Sequence, residues 1–239
     1  MQLRGNKMKL VENTYKKITT IDQILQYFHD DMTIMVGGFG GVGSPPSLLQ
    51  GLLESEVKDI HVICNDAGFP DIGIGRMVRN ERVKSLITSH IGSNPFAGKL
   101  MTEGKLDVEF SPQGTLAERI RAGGMGLGGV LVDVGLDSIV ENGKEKVTVK
   151  GKQFLIEEAL TAEVSIIFAK KADPFGNLVF DKSARNMNPH MATAGEITIV
   201  EAEEIVPLGS LNPEEIITPG VFVNYIIQSE GVNWKWAWE

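Results

Sequence analysis

The sequence predicts an α/β fold: an open, mainly parallel sheet with helices on both faces and an antiparallel hairpin excursion. The first observation is that short apolar runs alternate along the chain with segments of helical periodicity, which is typical of parallel strands joined by helices. The second is a β-rich stretch at 137–158 that contains two turn signals, which indicates hairpins. The third is size, because 239 residues, of which 42% are hydrophobic, suffice to bury one sizeable core.

The chain begins with a predicted loose arm at residues 1–17. Thr20 and Gln23 then fit a capping box, and apolar residues follow at helical spacing, so a helix is predicted that ends at Asp30-Asp31. The apolar residues at 32–36 predict a short buried strand.

A glycine run at 37–43 separates this strand from a second helix. Ser44 fits the N-cap of that helix, and Pro45 fits its first residue. Further strands are predicted at 60–64, 83–88, 106–110, 129–134, 164–169 and 197–201. Helices are predicted at 45–54, 95–103, 114–122 and 188–194. The turn signals of the hairpin excursion lie at 141–144 and 150–152.

One domain is predicted at 18–230, because no internal repeat and no linker divides the chain. The tail at 231–239 holds all three tryptophans. The sequence leaves open whether this Trp-rich tail is a packing anchor, an interface element or a disordered end.

Composition excludes several classes of function. The net charge of −8 argues against nucleic acid as the main partner, although backbone amides can still hold a small anion. The sequence contains no run of about 20 apolar residues, so no membrane span is predicted. Residues 1–17 lack the apolar segment of a signal peptide, so a cytoplasmic protein is expected.

Neither the single cysteine nor the histidines indicate a reactive centre. Cys64 excludes an intrachain disulfide and lies in an apolar run, so it is predicted to be a buried small hydrophobe. The four histidines are scattered without ligand spacing, and no metal site is predicted.

The glycine run has two interpretations. It lies between a strand and a helix, where backbone amides converge on anions. Gly38, Gly40 and Gly43 also fit the G-x-G-x-x-G fingerprint, with Asp66 as the ribose-binding acid, so a nicotinamide- or flavin-binding oxidoreductase is the alternative. Against it, Pro45-Pro46 would fall inside a helix that starts within the motif. A sensor domain that binds a small effector is a third possibility.

The segment 30–45, Asp-Asp-Met-Thr-Ile-Met-Val-Gly-Gly-Phe-Gly-Gly-Val-Gly-Ser-Pro, resembles the signature of the α subunits of class I CoA-transferases. One position departs from it, because Asp31 stands where Gly or Asn is usual. Other stretches that resemble the family lie at 65–68, 89–94, 112–121 and 182–189, where Met187 replaces an expected Phe. The resemblance extends from about residue 17 to residue 229. Within the family, the sequence is most similar to α subunits that act on acetate, butyrate and acetoacetate.

The resemblance implies an enzyme that transfers coenzyme A between a short-chain acyl-CoA and a carboxylate. The covalent intermediate would form on a glutamate of a partner β subunit in an α2β2 heterotetramer, so no catalytic residue is expected in this chain. CoA would be a substrate, with no tightly bound cofactor. The CoA-binding segment would be the glycine loop: Gly37, Gly38, Phe39, Gly40, Gly41, Val42 and Gly43.

Three polar residues that follow predicted strands are candidates to bind the carboxylate substrate: Gln113, Asn65 and Asn94. Glu141-Asn142-Gly143 resembles the nucleophile motif of β subunits, but Val140 replaces its Ser, and Asn-Gly favours a turn. The role of His90, near the expected site or structural, stays open. The acidic residues Glu201, Glu203 and Glu204 are expected to form a solvated edge.

Overall fold

The computed structural model describes residues 11–236 and residue 239, so residues 1–10 of the predicted arm and residues 237–238 of the tail lie outside the described part. The helices are α1 (Ile21–Ile24), α2 (Pro46–Glu54), α3 (Gly75–Arg79), α4 (Pro95–Thr102), α5 (Gln113–Gly124) and α6 (Asn188–Ala194). The strands are β1 (Thr33–Val36), β2 (Ile60–Cys64), β3 (Val83–Thr88), β4 (Asp107–Phe110), β5 (Gly129–Val132), β6 (Lys146–Val149), β7 (Lys152–Glu158), β8 (Ala162–Ala172), β9 (Leu178–Val179), β10 (Gly195–Ile205) and β11 (Tyr225–Gln228).

The strands form a large open sheet and a small antiparallel one. The order of the large sheet is β11-β10-β8-β1-β2-β3-β4, with every neighbouring pair parallel, and β9 adds to β8 in the antiparallel direction. The small sheet has the order β5-β7-β6. The predicted mainly parallel sheet with an antiparallel excursion is confirmed, although β5 belongs to the excursion and not to the large sheet.

Helices cover both faces of the large sheet, as predicted. Successive side chains of a strand point to opposite faces. Ile34 and Val36 of β1 therefore join one buried apolar cluster with Leu48 of α2, whereas Met35 joins the other with Leu116 of α5. Within the described part, no helix is both long and apolar enough to cross a membrane.

The starts of α1 and α2 differ from the sequence prediction. The side chain of Thr20 makes no capping hydrogen bond, and the hydroxyl of Thr19 donates to Gln23 Oε1 at 2.6 Å instead. The N-cap of α2 is Pro45, not Ser44. Proline has no side-chain acceptor for the first amides of the helix, so another residue has to supply it.

Glu201 of β10 supplies this acceptor from across the fold. Its carboxylate accepts hydrogen bonds from the amides of Ser47 and Leu48 at 2.8 and 3.1 Å and from the hydroxyls of Ser47 and Ser229 at 2.7 and 2.5 Å. Its side chain is 0% exposed, so the prediction that it lies on a solvated edge was wrong. Burial raises the pKa of Glu201, and the hydrogen bonds oppose that rise.

Cys64 ends β2 within the core, as predicted. Burial raises the pKa of its thiol far above the ordinary value, so the thiol stays protonated at neutral pH. Its role is that of a small core residue.

Candidate active site

A cavity of about 470 Å³ lies beyond the carboxyl ends of β1, β2, β3 and β4. It is lined by Phe39, Gly40, Val42, Asn65, Asp66, Phe69, Ser89, His90, Ser93 and Gln113. In open parallel sheets this edge is where ligands bind, because the loops after several strands meet there. His90, whose place the sequence left open, lies at this edge.

The glycine loop, residues 37–43, forms one wall of the cavity. Phe39 and Val42 exchange two backbone hydrogen bonds of 3.0 Å, which closes a two-residue turn at Gly40 and Gly41. Their φ angles are +55° and +94°, as this kind of turn requires, and a side chain at Gly41 would clash with Ile72.

The amides of this loop are less available to an anion than the sequence predicted. Those of Phe39 and Val42 close the turn, and that of Gly37 donates to Ile166 O at 2.9 Å. The amide of Gly40 donates to Asp66 Oδ2 at 2.8 Å. The loop therefore contributes to the cavity mainly through its shape and through the half-exposed ring of Phe39.

A second loop of similar form, residues 68–73, forms another wall of the cavity through Phe69. Its sequence, Gly-Phe-Pro-Asp-Ile-Gly, matches Gly-Phe-Gly-Gly-Val-Gly at 38–43 in its two glycines and its phenylalanine. Phe69 pairs with Ile72 as Phe39 pairs with Val42. No internal repeat was predicted from the sequence, yet this local repeat places two phenylalanines on one cavity.

A chain of hydrogen bonds joins Gln113 to both loops. Gln113 Nε2 donates to Asn65 Oδ1, and Asn65 Nδ2 donates to Asp66 Oδ2, each at 2.8 Å. The other oxygen of Asp66 accepts the amide of Gly68 at 2.9 Å. The buried Asn65 thus orients the exposed side chain of Gln113, and Asp66 ties together the two loops that form the walls.

The dinucleotide-binding alternative is not supported. Helix α2 begins at Pro46, after the glycine run, and not within it. Asp66, the expected ribose-binding acid, is 8% exposed, and both of its oxygens accept hydrogen bonds from the two loops.

Asn94 lies behind the wall of the cavity and does not line it. Its Oδ1 caps α4 by accepting the amide of Phe96 at 3.2 Å, and its Nδ2 donates to Ala67 O at 2.9 Å. Its neighbour Ser93 lines the cavity instead and donates to Gly68 O at 2.8 Å. The structure therefore brings Gln113 and Asn65 together but leaves Asn94 in a supporting position.

Two asparagines that the sequence analysis did not single out fix the glycine loop. Asn188 Nδ2 donates to Gly43 O at 3.0 Å, and Asn186 Nδ2 donates to Val42 O at 2.9 Å. A Cβ atom on Gly37 would clash with the side chain of Asn188, which explains why a glycine stands there. Both asparagines belong to the stretch 182–189 that carried part of the family resemblance.

Glu141 lies in the turn before β6 and does not line the cavity. Its carboxylate accepts the amide of Asp137 at 2.7 Å and pairs with Lys146 Nζ at 2.9 Å. The hydrogen bond from Lys146 holds the pKa of Glu141 below its ordinary value. These contacts fit the turn that Asn-Gly predicted.

The fold and the cavity define an open α/β protein with a cavity at the carboxyl edge of its sheet, the position at which proteins of this fold class bind small ligands. The chain belongs to the coenzyme A transferase family and is of its α-subunit type, because the family's model matches residues 18–229 and its relatives are α subunits. A probable coenzyme A transferase subunit alpha from Bacillus subtilis (strain 168) is 62% identical over 226 residues, which cover 94% of this chain and 99% of that protein. An acetate CoA-transferase subunit alpha from Escherichia coli (strain K12) is 48% identical over 214 residues, 90% of this chain and 97% of that protein.

A solved structure shows the same fold. An acyl-CoA transferase from Escherichia coli O157:H7, in a thioester complex with CoA, superposes with a TM-score of 0.79 at 21% identity. The superposition covers 89% of this chain and 47% of that chain, so this chain spans about half of its length.

Proposed function

We propose that this chain is the α subunit of an enzyme that transfers CoA between a short-chain acyl-CoA and a free carboxylate. Family membership supports the class of reaction. The observation that carries the proposal is the cavity, in which the amide pair Gln113–Asn65 meets the apolar side chains of Phe39, Val42 and Phe69. An apolar wall suits a short acyl chain, and an oriented amide suits its carboxylate.

Gln113 has a specific role in this proposal. Its amide can donate to a carboxylate or to a developing oxyanion without forming an ion pair that would later have to be broken. The hydrogen bond to Asn65 fixes the direction of that donor before the substrate arrives. The glycine loop, 37–43, would contact the CoA portion, and Gly40, which lines the cavity, would let the backbone approach it.

The covalent step would use a glutamate of the partner β subunit. That carboxylate attacks the acyl-CoA thioester, which gives an acyl-glutamyl anhydride and releases the CoA thiolate; the thiolate then attacks the glutamyl carbonyl and frees the acyl carboxylate. The incoming acid reverses both steps, so the thioester energy is retained. Asp66 is the one acidic residue among the described residues that line the cavity. Both of its oxygens accept hydrogen bonds from the loops, which leaves it poorly suited as a nucleophile.

The substrates we propose are acetate, butyrate and acetoacetate and their CoA thioesters. The support is in the names of relatives, an acetate CoA-transferase and an acetoacetyl-CoA:acetate/butyrate CoA transferase. The assembly we propose is a cytoplasmic α2β2 heterotetramer.

The test is an exchange assay on this chain co-purified with its β-type partner. Labelled acetate, butyrate and acetoacetate are offered with acetyl-CoA, and the label in acyl-CoA is measured. We expect label transfer with at least one of these acids and quenching of tryptophan fluorescence by CoA but not by NAD. A complex that transfers label from none of these acids to acyl-CoA, or that binds NAD in preference to CoA, would refute the proposal.

A further inference from the structure

The chain continues beyond β11 as a segment that crosses the two helices behind the cavity walls. We call residues 230–236 the strap. The amide of Glu230 donates to Ser47 Oγ at 3.1 Å, and Asn233 Nδ2 donates to Gln50 Oε1 at 3.2 Å, so both contacts are with α2. The strap lies past residue 229, where the match to the family ends.

A further contact ties the strap to α3. Arg76 Nη1 donates to Asn233 Oδ1 at 3.1 Å, while Arg76 Nη2 donates to Gln50 Oε1 at 2.6 Å. Helix α2 follows the glycine loop, and α3 follows the second loop. The strap is thus anchored to the elements that continue from both cavity walls.

The strap ends on the turn of the glycine loop. The ring of Trp236 lies 3.1 Å from the position that a Cβ atom on Gly41 would occupy, and Ile72 of the second loop lies beside it. Trp234 packs edge-on against Trp236, with ring centroids 5.9 Å apart. Trp236 therefore lies against the turn at Gly41, and Trp234 packs against Trp236.

Residues outside the glycine loop stabilise the turn at Gly40 and Gly41. Gly40 and Gly41 have no side chains with which to fix it, and glycine loses more backbone freedom on ordering than any other residue. The two sides of the turn are held by a hydrogen bond that Asn186 donates to Val42 O and by one that the Gly40 amide donates to Asp66. Packing of Ile72 and Trp236 against Gly41 adds a contact at the turn itself.

We propose that the strap clamps the glycine loop, and that Trp236 is a positioning residue for CoA, acting through Gly41. The clamp itself stands on the contacts above. Its consequence for CoA rests on the proposed function, in which the glycine loop contacts CoA. A looser turn would have to be ordered when CoA binds, which weakens affinity without touching the reacting atoms.

Hydrogen exchange tests the clamp without any ligand. Trp236→Ala is compared with Lys235→Ala, a change at an exposed neighbouring residue, in the complex with the partner chain. We expect the amides of Phe39 and Val42 to exchange about tenfold faster in Trp236→Ala, to stay unchanged in Lys235→Ala and to recover in Trp236→Phe. Equal exchange in Trp236→Ala and wild type would overturn the clamp.

Kinetics test the consequence. We expect Trp236→Ala to raise the dissociation constant of CoA about three- to tenfold, with kcat at saturating substrate nearly unchanged. Faster loop exchange with unchanged CoA affinity would leave the clamp standing and would refute the proposed role of the glycine loop in binding CoA. A fall in kcat with unchanged CoA affinity would overturn the positioning role.

Discussion

Replacing Glu201 tests how this chain holds the helix behind its glycine loop. In Glu201→Ala three buried donors, the amides of Ser47 and Leu48 and the hydroxyl of Ser47, lose their acceptor inside the protein. At the low end of the usual cost, about 1–1.5 kcal/mol for each buried donor left without a partner, we expect a loss of roughly 3–5 kcal/mol in the free energy of unfolding. For a chain of this size that lowers the Tm by roughly 10 °C.

Glu201→Gln is the matched control. Its amide oxygen can accept from both helix amides, and its NH2 group can donate to the serine hydroxyls, which turn to accept. We expect a loss below about 1 kcal/mol at neutral pH. The pair of variants therefore separates loss of the hydrogen bonds from loss of the charge.

The raised pKa of Glu201 adds a dependence on pH with a definite sign. The folded protein binds the proton more tightly than the unfolded chain, so this contribution to stability is fully present below the ordinary glutamate pKa of about 4.3. It is lost as the pH rises through the folded pKa. The stability of wild type relative to Glu201→Gln should therefore fall as the pH is raised from about 4.

Thermal denaturation at fixed protein concentration, followed by circular dichroism from about pH 4 to neutral pH, measures both the loss of the hydrogen bonds and the pH dependence. A Tm of Glu201→Ala within about 2 °C of wild type would refute the capping role, because less than about 1 kcal/mol would then be lost. If the stability of wild type relative to Glu201→Gln rose with pH, the raised pKa of Glu201 would be refuted.

Two further changes test the cavity in the assembled enzyme, and a third tests the turn at Glu141. Gln113→Ala should lower kcat about 10²- to 10³-fold with unchanged CoA affinity; unchanged kinetics with a lower Tm would show that Gln113 only braces its turn. Gly40→Val places a branched side chain at a φ of +55°, beside the ring of Phe69, and should weaken CoA binding at least about tenfold; unchanged affinity with an intact circular dichroism spectrum would place the ligand elsewhere. Glu141→Ala should leave kcat within a few-fold of wild type, and a loss of thousands-fold would mean that this turn holds the nucleophile.

The elements best predicted from the sequence are the buried parallel strands. The structure has β2 and β3 at the predicted bounds, because their apolar runs are flanked by polar and turn residues. The four-residue strand β11 was missed, since so short a run has no periodicity of its own. Strand β5 was correctly expected as a strand, but its pairing with β7 depends on residues nearly thirty positions away.

For the candidate site, position after a parallel strand was the useful signal. It brought Gln113 and Asn65 to one cavity. The same signal misplaced Asn94, although Pro95 after it indicated an N-cap, which occupies the side chain with its own helix.

The missed residues act across long distances in the chain. Glu201 caps a helix more than 150 residues earlier in the sequence, and Trp236 contacts a turn nearly 200 residues earlier. Such partners are fixed by topology, which no local pattern encodes. Phe69 is different, because the repeat of Gly-Phe-x-x-(Val/Ile)-Gly at 38–43 and 68–73 was visible in the sequence.

In the function we propose, this chain provides the cavity while the partner chain carries the covalent step. The most direct measurement incubates the purified complex with acetyl-CoA, traps thioesters by borohydride reduction and locates the modified residue by mass spectrometry. We expect modification of one glutamate on the β-type partner and, for this chain alone, neither modification nor label exchange. A modified carboxylate on this chain, at Asp66, Glu141 or elsewhere, or robust acetyl transfer by this chain alone, would contradict it.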